Sequence, residues 1–216
     1  MTSLRMVANH GSAVARRDLV MRCPTCLHRG TLSVVTEQDA NLATGEQPNP
    51  RILLFGYRTC PNPECQQIIF VVIEGRDIVV SFPPERIDFD ASNLPPAVLA
   101  TLEEAVTSHS NRCYVAAGMI VRKTLEELCE GRGATGPNLK ERIAALVRSV
   151  MMPKELLDGL DDLRLLGNDA AHVEAKTYNQ IGKDEVEISL EFTKEVLKAV
   201  YQYNALLERL RSLKKP

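Results

Sequence analysis

The sequence has no lysine before Lys123, no apolar run of membrane-spanning length, and almost no charge imbalance, with 26 Lys and Arg against 28 Asp and Glu. Each lack narrows the reading. A net charge of −2 supplies no overall cationic field of the kind that advertises nucleic-acid binding. Without about 20 consecutive apolar residues there is no helical membrane anchor, so no membrane partner is expected. No secretory h-region follows Met1, which leads to the expectation of a cytoplasmic protein. In that reducing compartment cysteines serve as metal ligands or buried thiols rather than as disulfides. There is no internal repeat, no low-complexity tract, and no helix with the clustered basic residues of a DNA-sequence reader. The basic charge that is present is uneven. Residues 1–30 hold Arg5, Arg16, Arg17, Arg22 and Arg29 against the single acid Asp18. Residues 1–18 read as a flexible leader, either a solvated tail or an arm with the charge to touch phosphates.

What is there divides near Phe82-Pro83-Pro84. Before it lie β-type runs at residues 19–22, 30–36, 51–59, 68–74 and 77–82, the last two flanking a Gly75-Arg76 hairpin turn. Residues 38–50 read as a polar loop. Residues 83–96 contain four prolines and form a linker, since proline continues neither a ladder nor a helix interior. After it the apolar spacing becomes helical. Helices are expected from Pro95-Pro96 to about His109, from Asn111 to Glu130, from Asn138 to Val150, and from Pro153 onward, with a loop over residues 173–183. A long final helix follows, with Asp184 and Glu187 at capping-box spacing. Its residues Ile188, Phe192, Val196, Ala199, Tyr203, Leu206, Leu210 and Leu213 alternate four and three apart. Leu190, Leu197, Val200 and Leu207 widen this face until it needs cover from the bundle, a partner subunit, or both. The expected fold is therefore α+β: a small β module over residues 19–82, then an all-α bundle over residues 97–216.

The cysteines carry the most specific chemistry. Cys23-Pro24-Thr25-Cys26 and Cys60-Pro61-Asn62-Pro63-Glu64-Cys65 each let two thiolates converge on one ion, and four thiolates complete a closed tetrahedral Zn²⁺ site. Both pairs sit at strand ends, as a zinc ribbon requires. A module with few large apolar residues gains stability from such a metal. Four Cys ligands leave no open position for water, so the expected role is structural. His28 is a weaker alternative ligand. Cys113 and Cys129 lack partner spacing and read as core or groove thiols.

A second constellation lies in the fourth helix. Arg164, Asn168 and His172 recur every fourth residue, which sets a guanidinium, an amide and an imidazole along one helical face. Arginine suits phosphate, and histidine moves protons near neutral pH. The plainer reading is a polar lock, with Arg164 paired to Glu126 or Asp161 while Asn168 and His172 satisfy backbone groups near a helix end. Gly167 inside the pattern points to close helix packing or a break. Arg122 and Glu126, one turn apart in the second helix, read as an ion pair and secondarily as an extension of the polar site.

Taken in order, Cys-Pro-Thr-Cys, Phe82-Pro83-Pro84, Glu104-Ala105, Arg122-Lys123-Thr124-Leu125-Glu126, Leu163 to Asn168, and Ala170-Ala171-His172 resemble the domain-of-unknown-function family DUF4145. That family is placed among the HEPN superfamily of helical bundles. The resemblance implies a bundle of four to five helices, often dimeric. It also implies a relation to metal-independent ribonucleases and RNA binders of phage defence, toxin–antitoxin and restriction systems. Their motif has Arg, a polar residue and then His, and this chain departs from it. Gly167 stands where Arg would precede Asn168, and the available Arg164 is a turn further back. Three functions follow as expectations. The first is a zinc-ribbon and helical module that binds nucleic acid, RNA or DNA, or a protein partner. The second is a metal-independent ribonuclease using Arg164, Asn168 and His172, in which histidine moves the proton and arginine offsets phosphoryl charge. The third is a non-catalytic homodimeric adaptor.

Overall fold

A computed structural model of the chain describes residues 18–35, 39–44, 51–150, 152–172, 177–178 and 180–214. The leader up to residue 17 lies outside the described residues. The chain forms two compact units, one ending at Arg86 and the other beginning at Ile87, and the fold is α+β.

The first unit is a six-stranded antiparallel sheet of β1 (Leu19–Arg22), β2 (Arg29–Val34), β3 (Ala40–Thr44), β4 (Arg51–Thr59), β5 (Ile68–Glu74) and β6 (Asp77–Phe82). The order is β1-β2-β4-β5-β6, with β3 also paired to β4. Because strand side chains alternate between faces, register decides which residues share the core. Leu19 opposes Leu32, while Gly56 opposes Val71 and Arg58 opposes Ile69. These positions lie on the inner face. Leu19, Met21, Leu32, Leu54, Ile69, Val71 and Ile73 pack there with Cys23 and Cys60. The hairpin between β5 and β6 turns at Gly75, whose φ of +60° suits a residue without Cβ.

The expected loop over residues 38–50 contains β3, which pairs Ala40 with Phe55 and Thr44 with Arg51. Its polar composition hid it, as happens on an edge strand that need not bury both faces. β2 holds one end of the same edge of β4 through Ser33 and Val34, and β3 holds the other. Asp39, just before β3, pairs with Arg58 on β4.

The second unit contains α1 (Pro96–Ser110), α2 (Tyr114–Gly131), α3 (Leu139–Ser149), α4 (Lys154–Ala171) and α5 (Lys183–Leu197). A π-helical segment (Lys198–Gln202) then leads directly into α6 (Tyr203–Ser212). Pro96 opens α1 at a position where its missing N–H costs nothing. The second helix starts three residues later than the spacing predicts. Asn111 instead closes α1, its side-chain amide donating to the Thr107 carbonyl at 2.8 Å, and Arg112 turns the chain at φ +62°. Asn138 caps α3 by accepting the Glu141 N–H at 3.0 Å. At α5 the cap is not the expected Asp184 and Glu187. Glu185 accepts the Gly182 N–H at 3.0 Å, half of a capping box, since Gly182 has no side chain to return a bond.

Leu102, Val106, Val121, Leu125, Leu128, Leu146, Leu160, Leu163, Leu190 and Leu197 form the main core. Gly118 and Gly167 set the close approach of α2 and α4. A Cβ on Gly167 would lie 2.4 Å from Arg122 Cβ, and one on Gly118 would meet Ala170 Cβ at 3.2 Å. The final rod divides at the π segment. Before it, Val186, Leu190, Val196 and Leu197 are buried, whereas Ile188, the first residue of the expected face, is exposed; after it, α6 buries no residue, and Leu206, Leu207, Leu210 and the C-cap Leu213 are exposed. No face of α6 is buried, so the stripe that is continuous in sequence is half core and half surface. Among the described residues no helix is long and apolar enough to cross a membrane.

Candidate functional site

The cysteine centre is built from two turns of the same design. In the first, the Cys23 N–H donates to the His28 carbonyl at 2.8 Å and the Leu27 N–H to the Cys23 carbonyl at 3.0 Å. In the second, the Cys60 N–H donates to the Gln67 carbonyl at 3.0 Å, and the Cys65 and Gln66 N–H groups both reach the Asn62 carbonyl at 3.0 Å. In each turn the residue after the second cysteine adopts a positive φ, +61° at Leu27 and +45° at Gln66. That left-handed step is costly for side chains other than glycine. Here it turns the following backbone N–H onto sulfur, His28 onto Cys26 and Gln67 onto Cys65. Strained backbone at two matched places marks the reason for the turns: they aim thiolates.

The four sulfurs meet. Cys23 Sγ lies 3.9 Å from Cys65 Sγ, Cys26 Sγ lies 3.6 Å from Cys60 Sγ, and all four fall within 4.8 Å of one another. Tetrahedral thiolates at a Zn–S distance of about 2.3 Å would stand about 3.8 Å apart, so the cluster has the size and donor set of a metal site. The cysteines are free thiols, with Cys23 and Cys60 buried. The His28 amide holds Cys26 down at about 7, toward the thiolate that a metal requires. Burial pushes Cys60 up to about 12 against the pull of the Asn62 amide. Deprotonating that buried thiol is costly without a cation at its side, and a bound divalent ion supplies one. His28 is exposed and outside the cluster, so its part is the backbone amide rather than a ligand.

The arginine–histidine stripe is arranged differently. Arg164 Nε donates to Asp161 Oδ1 at 2.6 Å, and this bond holds the Asp161 carboxyl below its ordinary range. Asn168 sits in the last turn of α4, where its carbonyl accepts the His172 N–H at 3.0 Å. His172 is the C-cap, exposed and in extended conformation, so the helix ends before the imidazole. The spacing argument assumes a helix continuing through all three residues; the structure gives that face only to Arg164 and Asn168. Asp169 turns the other way and accepts the Tyr178 backbone N–H at 2.7 Å. Arg122 and Glu126 form the expected one-turn ion pair at 3.4 Å, where Gly167 lets α4 pack closely against α2. Of the remaining thiols, Cys129 is buried in the core, whereas Cys113 is exposed at the N-cap of α2 and is not a core residue.

One centre escapes sequence reading. Asp39 and Arg58 form a bidentate ion pair, Nη1 to Oδ1 at 2.9 Å and Nη2 to Oδ2 at 2.7 Å, with both side chains fully buried. Gly56 makes the room, since a Cβ there would lie 1.8 Å from Asp39 Oδ1. A sequence separation of 19 gives no spacing signal.

This is an α+β protein that couples a four-thiol, metal-competent β unit to a helical bundle. Its helical part matches the model of the domain of unknown function DUF4145 over residues 103–215, more than half of the 216-residue chain, and the chain belongs to that family. No curated protein and no solved structure matches it.

Proposed function

We propose that this protein is a zinc-stapled binding module: a zinc ribbon joined to a HEPN-like bundle that associates with a second copy of itself, recognising its partner by docking rather than by catalysis. The observation that carries this reading is the closed cluster of four sulfurs. Four thiolates fill the coordination sphere of Zn²⁺ and leave no position for a reacting water, so the metal holds a recognition surface in shape. The bare leucine face of α6 supports self-association, because contiguous exposed apolar surface of this kind is covered by a partner in soluble proteins. The engagement of Arg164 by Asp161 and the placement of His172 beyond the helix favour docking over the ribonuclease reading.

Two measurements test this. Elemental analysis of purified protein should give one zinc per chain, falling to none in Cys26→Ser with Cys65→Ser. Light scattering should show a dimer that Leu206→Glu with Leu210→Glu converts to a folded monomer. Metal-independent RNA cleavage that disappears in His172→Ala would replace this reading with the nuclease.

A further inference from the structure

The exposed face of α6 has an order of its own. Tyr203, Leu206, Leu207, Leu210 and Leu213 make it up, each between 44% and 80% exposed. On an α-helix these positions fall within about 120° of the circumference, one stripe along the rod. Leu213, though the C-cap, keeps a helical backbone at φ −81° and ψ −10°, so it continues the row. Asn204, Glu208 and Ser212, each four residues from the next, take the opposite side. A narrow apolar stripe with a polar back has the shape that another helix covers.

The row is the same from either end. Leu206 and Leu210 stand two residues on either side of position 208, and Tyr203 and Leu213 stand five residues on either side of it. Two copies laid antiparallel about that level set Leu206 against the partner's Leu210 and Tyr203 against the partner's Leu213, with both Leu207 side chains near the centre. Every large apolar residue of the stripe then meets another, and each contact occurs twice, as a two-fold joint requires. Parallel copies would also pair the leucines, each with its own counterpart, and charge separates the two arrangements. Residues 202–207 carry no charge, whereas Arg209, Arg211 and Lys214 follow with the single acid Glu208 on the polar back. Laid parallel, all three cations stand level with the same cations of the partner, and like charges set together oppose association. Laid antiparallel, Arg211 is level with the partner's Ala205 and Lys214 with the partner's Gln202. Only Arg209, next to the centre, keeps its counterpart near. The dipoles of the two helices also run opposed rather than aligned.

We infer that α6 joins two copies of this chain antiparallel, in the register that sets Leu206 on the partner's Leu210 and Tyr203 on the partner's Leu213. This rests on the self-association reading and gives that joint its direction and its contacts. In each copy α5 and the π segment lead directly into α6, so the two bundles leave the joint at opposite ends. The joint is short: the 10 residues of α6 span about 15 Å. An interface of that length is at the small end of those that hold specific dimers, so this one dissociates on dilution.

The test is disulfide trapping in the full-length chain, purified with zinc and carrying Cys113→Ser to remove its exposed thiol. Tyr203→Cys and Leu213→Cys are prepared separately, equilibrated in a glutathione redox buffer, and run on non-reducing gels alone and mixed. Because α6 buries no residue, neither change reaches the core. Neither variant should cross-link with itself, since an axial offset of roughly 15 Å exceeds the span of about 7 Å that a disulfide allows. Their mixture should yield the cross-linked dimer. A variant that cross-links with itself, or a mixture that is dimeric by light scattering and yields no cross-link, would overturn the inference alone. Arg211→Gln gives a second reading: the concentration at which the dimer dissociates should stay within about twofold. A clearly tighter dimer would mean that the cations face one another, and the antiparallel joint would fall. A native chain that stays monomeric at every concentration would overturn the self-association reading and this inference with it.

Discussion

The β unit and the helical unit solve the problem of staying folded with different materials. Among the described residues the helical core gathers twenty buried apolar residues, and the β core gathers nine, two of which are cysteines of the cluster. The helical unit is held by apolar burial, at roughly 25 cal/mol for each Å² removed from water. The β unit compensates for its small core with inserted chemistry: a four-thiol centre at one end and a buried ion pair in the middle of the sheet. The difference teaches that the two units should respond to different insults.

The largest expected effect is metal removal. A strong chelator should unfold the β unit, as structural zinc contributes on the order of 10 kcal/mol or more, while α1 to α5 keep their structure. Hydrogen exchange read strand by strand and helix by helix measures this directly; equal loss of protection in both units, or in neither, breaks the comparison. Next in size is Asp39→Ala, which leaves the Arg58 guanidinium buried without its carboxylate and should cost about 3–5 kcal/mol. The double replacement Asp39→Leu with Arg58→Met should recover most of that in urea melts, which would show that the pair fixes the register of β3 more than it adds stability. In the helical unit, Gly167→Ala brings a methyl against Arg122 and should cost about 1–3 kcal/mol, with chelator-induced unfolding of the β unit unchanged.

The smallest effect concerns His109, buried at the end of α1 with no hydrogen-bond partner for Nε2 among the described residues and its ring 5.6 Å from that of Tyr114. Burial lowers its affinity for protons; Glu187 opposes the shift, Lys183 adds to it, and a backbone hydrogen bond to Lys183 opposes it. The sign follows from linkage. The unfolded chain takes up the proton first, near the ordinary value of about 6.5, so the stabilising contribution is full above that pH and is lost as pH falls toward the lowered folded value. Thermal melts of the helical unit at pH 7.5 and 5.5 should differ, and the difference should shrink in His109→Gln.

How much of this was legible in the sequence depended on whether the signal was local. The cysteine pairs were legible because ligand spacing is a short-range constraint, and four of the five β runs match observed strands closely. The strand β3 was not, since an edge strand can be as polar as a loop. The Asp39–Arg58 pair was invisible because its partners meet only through the sheet. The stripe of Arg164, Asn168 and His172 showed the limit of periodicity: spacing places residues on one face only while the helix lasts, and this one ends at Ala171. The same limit applies to the final helix. Its heptad-like pattern runs on through residue 213, but burial ends at Val200, within the π turn at Lys198–Gln202.

That single widened turn has a consequence for how the chain can change. Upstream of it each substitution is judged by the neighbours inside the bundle. Downstream, α6 buries no residue, so its leucines are free to change with whatever meets them from outside, without reopening the question of how the protein folds.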